Sequence, residues 1–346
     1  MLHWTRFAGG YHRTMSLMNN ANEADYPGKL KAVADALTAW EGPIVLAAHV
    51  DPDGDALGST LALKRALEDL GKTALLPLEP PPFLAFLCEP GELSDPLEAL
   101  PEHCMLAVLD VSDISRIDGA PTEGAAFVLN IDHHGTNDRF GDLALVQPGA
   151  AATAQIIKDL IDVLPVAWTE KLATPCLTGI MTDTGTFRYT NTNADVLNAA
   201  GDLMAAGAAY TEISDRVQRR PASYFQMLGR VMETLEMHED GKISMAHVTQ
   251  ALREAYGEDD DSDDYVGAIR YIEGVELALL LKEKDDAVKV SVRARPPYSA
   301  QNVAVALGGG GHVAAAGAKL DGLGLTEAKE RVLTAAQAEI RRHEGH

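Results

Sequence analysis

The sequence predicts an α/β protein in two units: a parallel sheet wrapped by helices, joined by a helical connector to a smaller α/β unit. Three observations predict it. From about residue 28 to 205, short apolar runs alternate with segments whose apolar residues recur at helical spacing. A second group of strand-like runs begins near residue 240 and ends in an amphipathic helical segment. The 346 residues also exceed what a single core usually holds.

In the first unit the strands expected are Pro43 to Ala48, Lys72 to Leu78, Met105 to Leu109 and Ala125 to Ile131. Between and after them, Leu57, Leu61, Ala66, Leu67 and Leu70, and then Ile157, Leu160, Ile161 and Leu164, mark helices with polar residues on the other faces. In the second unit Lys242 to Val248, Val275 to Leu281 and Ala287 to Val292 read as strands, and Thr326 to Ile340 as a closing helix. The expected boundaries are a disordered extension over 1–19, the first unit over 20–207, a helical connector over 208–235 and the second unit over 236–346. The acidic run Glu258 to Asp264 reads as a solvated loop.

Composition narrows the function. There are 29 Lys and Arg against 51 Asp and Glu, a net charge of -22. Such a surface is unsuited to neutralising many phosphates of a long duplex, so a nucleic-acid partner should be short. The three cysteines are widely spaced with no CxxC pair, which argues against a disulfide framework or zinc cage and fits a reducing cytoplasm. No apolar run is long enough to cross a bilayer, so no membrane partner is expected.

The chemistry is expected where the strands of the first unit end. Pro43 to Ala48 runs into His49-Val-Asp-Pro-Asp53-Gly-Asp55, Met105 to Leu109 into Asp110, and Ala125 to Ile131 into Asp132-His133-His134. A fourth acid, Asp183, follows the apolar stretch Leu177 to Met181. Ligands of an open parallel sheet bind outside the carboxyl ends of its strands, so these groups should converge. Carboxylates crowded into one crevice repel unless cations neutralise them, and oxygen and imidazole donors without thiolate favour Mn²⁺ or a similar divalent ion. One turn could feed two ions, with His49 and Asp53 on one, Asp55 on its neighbour and Asp110 bridging. Taken alone, Asp-Pro-Asp-Gly-Asp is equally a tight turn followed by a helix N-cap, and Asp110 a turn acid. Adjacent imidazoles after a buried strand are harder to explain as packing.

His49 to Ser59, Leu109-Asp110-Val-Ser-Asp113, Asp132-His133-His134 and Thr182-Asp183-Thr184-Gly185 together resemble the four motifs of the DHH phosphoesterases, in that family's order. The resemblance implies a hydrolase of phosphate esters and anhydrides using two Mn²⁺, with Mg²⁺ or Co²⁺ as substitutes. His49, Asp53 and Asp110 would hold one ion; Asp55, Asp110, His133 and Asp183 would hold the other. His134 would face the substrate phosphate and Asp132 would orient the histidines.

In the second unit Gly308 to His312, followed by Ala314-Ala-Ala-Gly317, resembles the C-terminal domain of RecJ-like and oligoribonuclease-like members. A glycine run lets backbone N–H groups approach an anion, and a helix starting at its end would add a favourable dipole. Arg293 in Ser291-Val-Arg293-Ala-Arg295 could hold a phosphate through its planar fork, although members often carry Ser where this chain has Ala294. Gly309, Gly310, Gly311, His312 and Arg293, with Arg188 and Tyr189 beyond the fourth motif, are the substrate-binding candidates. The second unit is expected to close over the crevice.

The size and two-unit plan resemble the stand-alone type that degrades very short single-stranded RNA and adenosine 3',5'-bisphosphate (pAp). Alternatives are a phosphodiesterase of linear or cyclic dinucleotides and, from another class, a catalytically silent nucleotide sensor. The resemblance also suggests a homodimer.

Overall fold

The computed structural model describes residues 25–256 and 264–344. The expected N-terminal extension and the acidic run, Asp264 excepted, lie outside the described residues. The chain forms two compact units that meet in sequence between Arg219 and Arg220.

The first unit contains α1 (Tyr26–Ala39), β1 (Ile44–Ala47), α2 (Gly54–Asp69), β2 (Ala74–Leu75), β3 (Met105–Leu109), β4 (Phe127–Asp132), β5 (Leu143–Val146), α3 (Thr153–Val163), α4 (Glu170–Asp183), α5 (Ala194–Ala205) and α6 (Tyr210–Gln218). Its five strands are all parallel, in the order β2-β1-β3-β4-β5. Both faces are covered, which is why the strands read as continuous apolar runs. Ile44 and Leu46 face the core built with α1 to α5, whereas Val45 and Ala47 join Leu106 and Val108 in a second core capped by loop residues such as Leu97, Ile117 and Phe140. The order reverses at β1, with β2 on one side and β3 on the other, so the crevice falls between the carboxyl ends of β1 and β3.

Three elements differ from the sequence reading. The edge strand expected over Lys72 to Leu78 is only β2, which stops before Pro77, a residue with no N–H to give a ladder. The short strand β5 carries no long apolar run and was not expected. Leu177 to Met181 is the last turns of α4, not a strand-like run, so Asp183 arrives on a helix end.

The second unit contains α7 (Ala222–Met232), β6 (Glu236–His238), β7 (Ile243–Val248), α8 (Gln250–Tyr256), α9 (Asp264–Arg270), β8 (Leu277–Lys284), β9 (Ala287–Ala294), α10 (Ala300–Ala306), β10 (Gly310–Gly311), β11 (Ala315–Asp321) and α11 (Leu325–Glu344). Its sheet runs β10-β11-β9-β8-β7-β6, antiparallel except for the β7–β8 pair. Strand alternation divides β9: Val288, Val290 and Val292 pack with Val303 of α10 and Val332 and Ile340 of α11, which sends Lys289, Ser291 and Arg293 to the other face. The chain is helical on both sides of 219–221, where Arg219 turns extended and Pro221 follows.

Candidate metal centre

β1 delivers His49 to the crevice, and the turn after it delivers Asp53 and Asp55. Asp53 is the N-cap of α2, its Oδ1 accepting from the N–H of Asp55 at 2.9 Å and of Ala56 at 3.0 Å. The turn-and-cap reading and the ligand reading therefore both describe this segment, because the cap that starts α2 aims Asp55 inward. His49 gives its Nδ1–H to the Val50 carbonyl at 2.8 Å, leaving Nε2 4.0 Å from Asp53 Oδ1 and 3.6 Å from Asp110 Oδ2.

Asp55 is fully buried. Its Oδ2 accepts from the Thr153 N–H at 2.6 Å and its Oδ1 from the Ala154 N–H at 2.8 Å, so the positive end of α3 meets its charge. Asp110, just past β3, has a left-handed backbone with φ of 60°. That conformation is uncommon for a residue with a Cβ, and here it turns a buried carboxylate into the crevice. Asp110 Oδ1 accepts from Thr153 Oγ1 at 3.0 Å and lies 3.6 Å from both His133 Nε2 and His134 Nδ1.

β4 delivers the two imidazoles. His133 turns Nδ1 toward the Ala150 carbonyl at 3.4 Å and Nε2 toward three acids: Asp183 Oδ2 at 3.3 Å, Asp110 Oδ1 at 3.6 Å and Asp55 Oδ2 at 3.9 Å. Buried Asp132 takes His134 Nδ1 at 2.7 Å and the His133 N–H at 2.8 Å on Oδ1, and the Asn137 side-chain amide at 2.6 Å on Oδ2. Asp183 closes the ring from the end of α4. That helix reaches α2 because Gly179 lacks a side chain: a Cβ there would stand 2.6 Å from the Ala154 Cβ and 2.9 Å from Asp55 Oδ1.

The structure thus brings His49, Asp53, Asp55, Asp110, His133, His134 and Asp183 together from four segments. Donor atoms of His49, Asp53 and Asp110 lie within 4.8 Å of one another, as do those of Asp55, His133 and Asp183, and those of Asp110, His133 and His134. Without a cation the cluster is electrostatically unfavourable. Burial and then the charges of Asp110 and Asp183 push Asp55 well above the usual carboxylate range, and burial with Asp53 and Asp110 does the same to Asp183. Burial holds His133 below its ordinary value, the neutral form a metal ligand needs, while the Asp132 hydrogen bond lifts His134 to about 9. A set of oxygen and imidazole donors, with acids penalised for being charged, fits hard or borderline divalent cations.

Sequence reasoning missed three contributors. Thr153 and the first N–H groups of α3 clamp Asp55 and Asp110, and the helix start at this point is the signal that could have found them. Asn137 ties Asp132 to Asn130 Oδ1 at 2.9 Å and the Val111 carbonyl at 2.9 Å, with no local sequence signal. Asn191 binds the backbone carbonyls of Asp183 and Ala151 at 3.1 and 3.2 Å, joining the fourth segment to the α3 start.

Arg188 and Tyr189 follow a turn in which Gly185, Thr186 and Phe187 all have positive φ. Arg188 gives Nε–H to the Gly185 carbonyl at 2.6 Å, and the Tyr189 ring lies over Gly185 while remaining 42% exposed.

In the second unit the glycine run differs from its expected form. No helix starts at its end. Gly308 and Gly309 close α10, donating their N–H groups to Val305 and Ala304, and Gly310 and Gly311 then pair with β11. Gly309 must lack a side chain, since a Cβ would stand 2.1 Å from the Gly317 carbonyl oxygen. The run and Arg293 of β9 line a groove of about 850 Å³, and exposed His312 follows the run in sequence without lining it. The glycines contribute an open wall there, not a helix dipole.

A parallel sheet with this acid and imidazole cluster at its switch point, followed by a second mixed-sheet unit, defines the class. The chain belongs to the DHH family: the model of the family's N-terminal domain matches residues 43–180, and that of the DHHA1 domain matches 242–342. Within it, the chain is 53% identical to the bifunctional oligoribonuclease and PAP phosphatase NrnA of Thermus thermophilus, over 93% of this chain and 98% of that protein. It is 27% identical to the protein of the same name from Bacillus subtilis, over 80% of this chain and 89% of that one. A solved exopolyphosphatase-related protein of Bacteroides fragilis shares the fold, with a TM-score of 0.80 at 22% identity over 90% of this chain and 96% of that one.

Proposed function

We propose that this chain is a cytoplasmic phosphoesterase that cleaves very short single-stranded RNA to mononucleotides and removes one phosphate from pAp, with two Mn²⁺ bound in the first unit. The observation that carries this reading is Asp110, whose two oxygens face His49 on one side and His133 and His134 on the other. The identity to the Thermus thermophilus enzyme supports the substrate class.

His49, Asp53 and Asp110 would hold one ion, and Asp55, Asp110, His133 and Asp183 the other. When bound, the pair supplies Lewis acidity at phosphorus and a lowered pKa for an attacking water. The chain's own groups do the rest. Val50 and Ala150 fix the His49 and His133 rings so that each Nε2 faces the acids. Asp132 holds His134 by Nδ1, and the imidazole then offers its remaining edge to phosphoryl oxygens as negative charge grows. Arg293, with the open glycine wall and His312, would hold the substrate's other phosphate. Arg188 and Tyr189 would contact the nucleotide next to the cleaved bond, Tyr189 by stacking on a base.

The test is turnover of RNA of two to five nucleotides, and of pAp, with added Mn²⁺, by wild type and Asp110→Ala. Hydrolysis by wild type that falls at least ~10³-fold in the variant, about 4 kcal/mol of transition-state stabilisation, is expected. Tight binding with no turnover by wild type would favour the sensor, and near-full turnover by the variant would remove Asp110 from its shared role.

A further inference from the structure

One hydroxyl touches the cluster of acids and imidazoles without belonging to the motifs that supply them. Thr153, the first residue of α3, is fully buried and gives its Oγ1–H to Asp110 Oδ1 at 3.0 Å. A threonine at a helix start usually serves the helix itself, as its N-cap. Here the N-cap is Ala152, which has no side-chain oxygen, and Asp55 of α2 takes over that duty by accepting from the Thr153 and Ala154 N–H groups. The Thr153 hydroxyl is thereby left for another partner. One residue so grips two acids from separate elements, Asp55 by its backbone and Asp110 by its side chain.

We infer that Thr153 is a positioning residue that keeps Asp110 turned as a bridge between the two cation positions; this rests on the two-ion reading given above. The terminal torsion of an aspartate is broad and roughly two-fold, so an unrestrained Asp110 is free to turn both oxygens toward one set of donors. With Oδ1 tied to Thr153, that oxygen lies 3.6 Å from His133 Nε2 while Oδ2 lies 3.6 Å from His49 Nε2. Each oxygen is committed to a different set, Oδ1 to the side of His133, Asp55 and Asp183, and Oδ2 to the side of His49 and Asp53. The carboxylate does not make this choice by itself, because its two oxygens are chemically alike. Thr153 in turn stays put, since moving it would take a donor from buried Asp55. Hydrogen bonds that orient a metal ligand from outside typically weigh about 10–100-fold in metal affinity or activity.

The test uses the full chain stripped of metal by a chelator, as wild type, Thr153→Val, Thr153→Ala and Thr153→Ser. Valine keeps the volume and loses the donor, alanine loses both, and serine keeps the hydroxyl. Mn²⁺ binding is followed by calorimetric titration and by electron paramagnetic resonance at two equivalents, alongside turnover of pAp. Wild type and Thr153→Ser should bind a spin-coupled pair of ions. In Thr153→Val and Thr153→Ala the affinity for the second ion should fall by about 10–100-fold, and the spectrum should shift to that of isolated Mn²⁺. Their kcat should fall by about the same factor, with KM for pAp within about twofold of wild type.

A variant without the hydroxyl that binds the coupled pair as tightly as wild type would overturn the role, and so would a Thr153→Ser that behaves like Thr153→Val. A lowered melting temperature of the metal-free variant with the coupled spectrum intact would overturn it as well, since the hydroxyl would then be a structural bond only. Wild type that binds Mn²⁺ without forming a coupled pair would instead overturn the two-ion reading itself, and the role of Thr153 with it.

Discussion

Asp183→Asn tests the cation-cluster reasoning where its sign is opposite to that of most substitutions. Asp183 and Asp55 hold oxygens within 4.8 Å of one another, and of His133 Nε2. At an effective dielectric near 20, two full charges at that distance repel by about 3.5 kcal/mol. Burial and mutual repulsion push both carboxyls up, which relieves part of that energy, so the gain at pH 8 should be about 1–3 kcal/mol, seen as a rise of roughly 3–10 °C in the melting temperature of the metal-free first unit.

The sign also fixes the pH dependence. Each group has a folded pKa above its unfolded value, so the folded metal-free protein binds more protons. Their contribution to its stability is therefore fully present below the ordinary carboxylate range and is lost as pH rises through the raised values. The variant should flatten that fall. Saturating Mn²⁺ should reverse it in wild type, adding about 2.7 kcal/mol at a hundredfold excess over its dissociation constant, and should do measurably less for the variant, which keeps only one of the two proposed ion sets, His49, Asp53 and Asp110, intact. Thermal melts from pH 4 to 8, with and without Mn²⁺, measure all of this. A metal-free variant less stable than wild type, with the Mn²⁺ response intact, would refute the account, because Asp183 would then be a structural acid and not one of a mutually repelling set.

Three further substitutions probe the supports of the site. Gly179→Ala should destabilise by about 1–3 kcal/mol and weaken Mn²⁺ binding, because its Cβ would meet Ala154 and Asp55; an unchanged denaturant midpoint would show that α2 and α4 can part without cost. Asn137→Ala should lower kcat by about 10–100-fold with little change in KM, since Asp132 would lose the donor on its second oxygen, and an unaltered kcat would show that Asp132 is held by its other bonds alone. Arg293→Ala should raise KM for pAp about tenfold or more while sparing the Mn²⁺-induced shift in melting temperature, and an unchanged KM would take Arg293 out of substrate binding.

The ends of β1, β3 and β4 were legible because a buried parallel strand is an unbroken apolar run, and the polar residue that ends it marks the edge where ligands bind. His49, Asp110 and His133 could be placed together on that argument alone. Asp183 could be placed with them from its motif but not from its element: Leu177 to Met181 is too short for periodicity to tell a strand from a helix, and the packing of α4 on α2 decided the matter. The glycine run lacks the helix expected at its end for a related reason. Glycines permit a nest, a cap or a hairpin alike, and pairing with β11 selected the last two.

What the sequence by itself determined is the inventory, namely which acids and imidazoles lie at strand ends and that no thiolate stands beside them in the motifs. Covalent order and burial pattern are local properties and can be read along the chain. Only the tertiary structure decided which partner each group has. The α3 N-terminus on Asp55 and the Asn191 amide on the Ala151 carbonyl join residues distant in sequence, through helix packing that no single segment encodes.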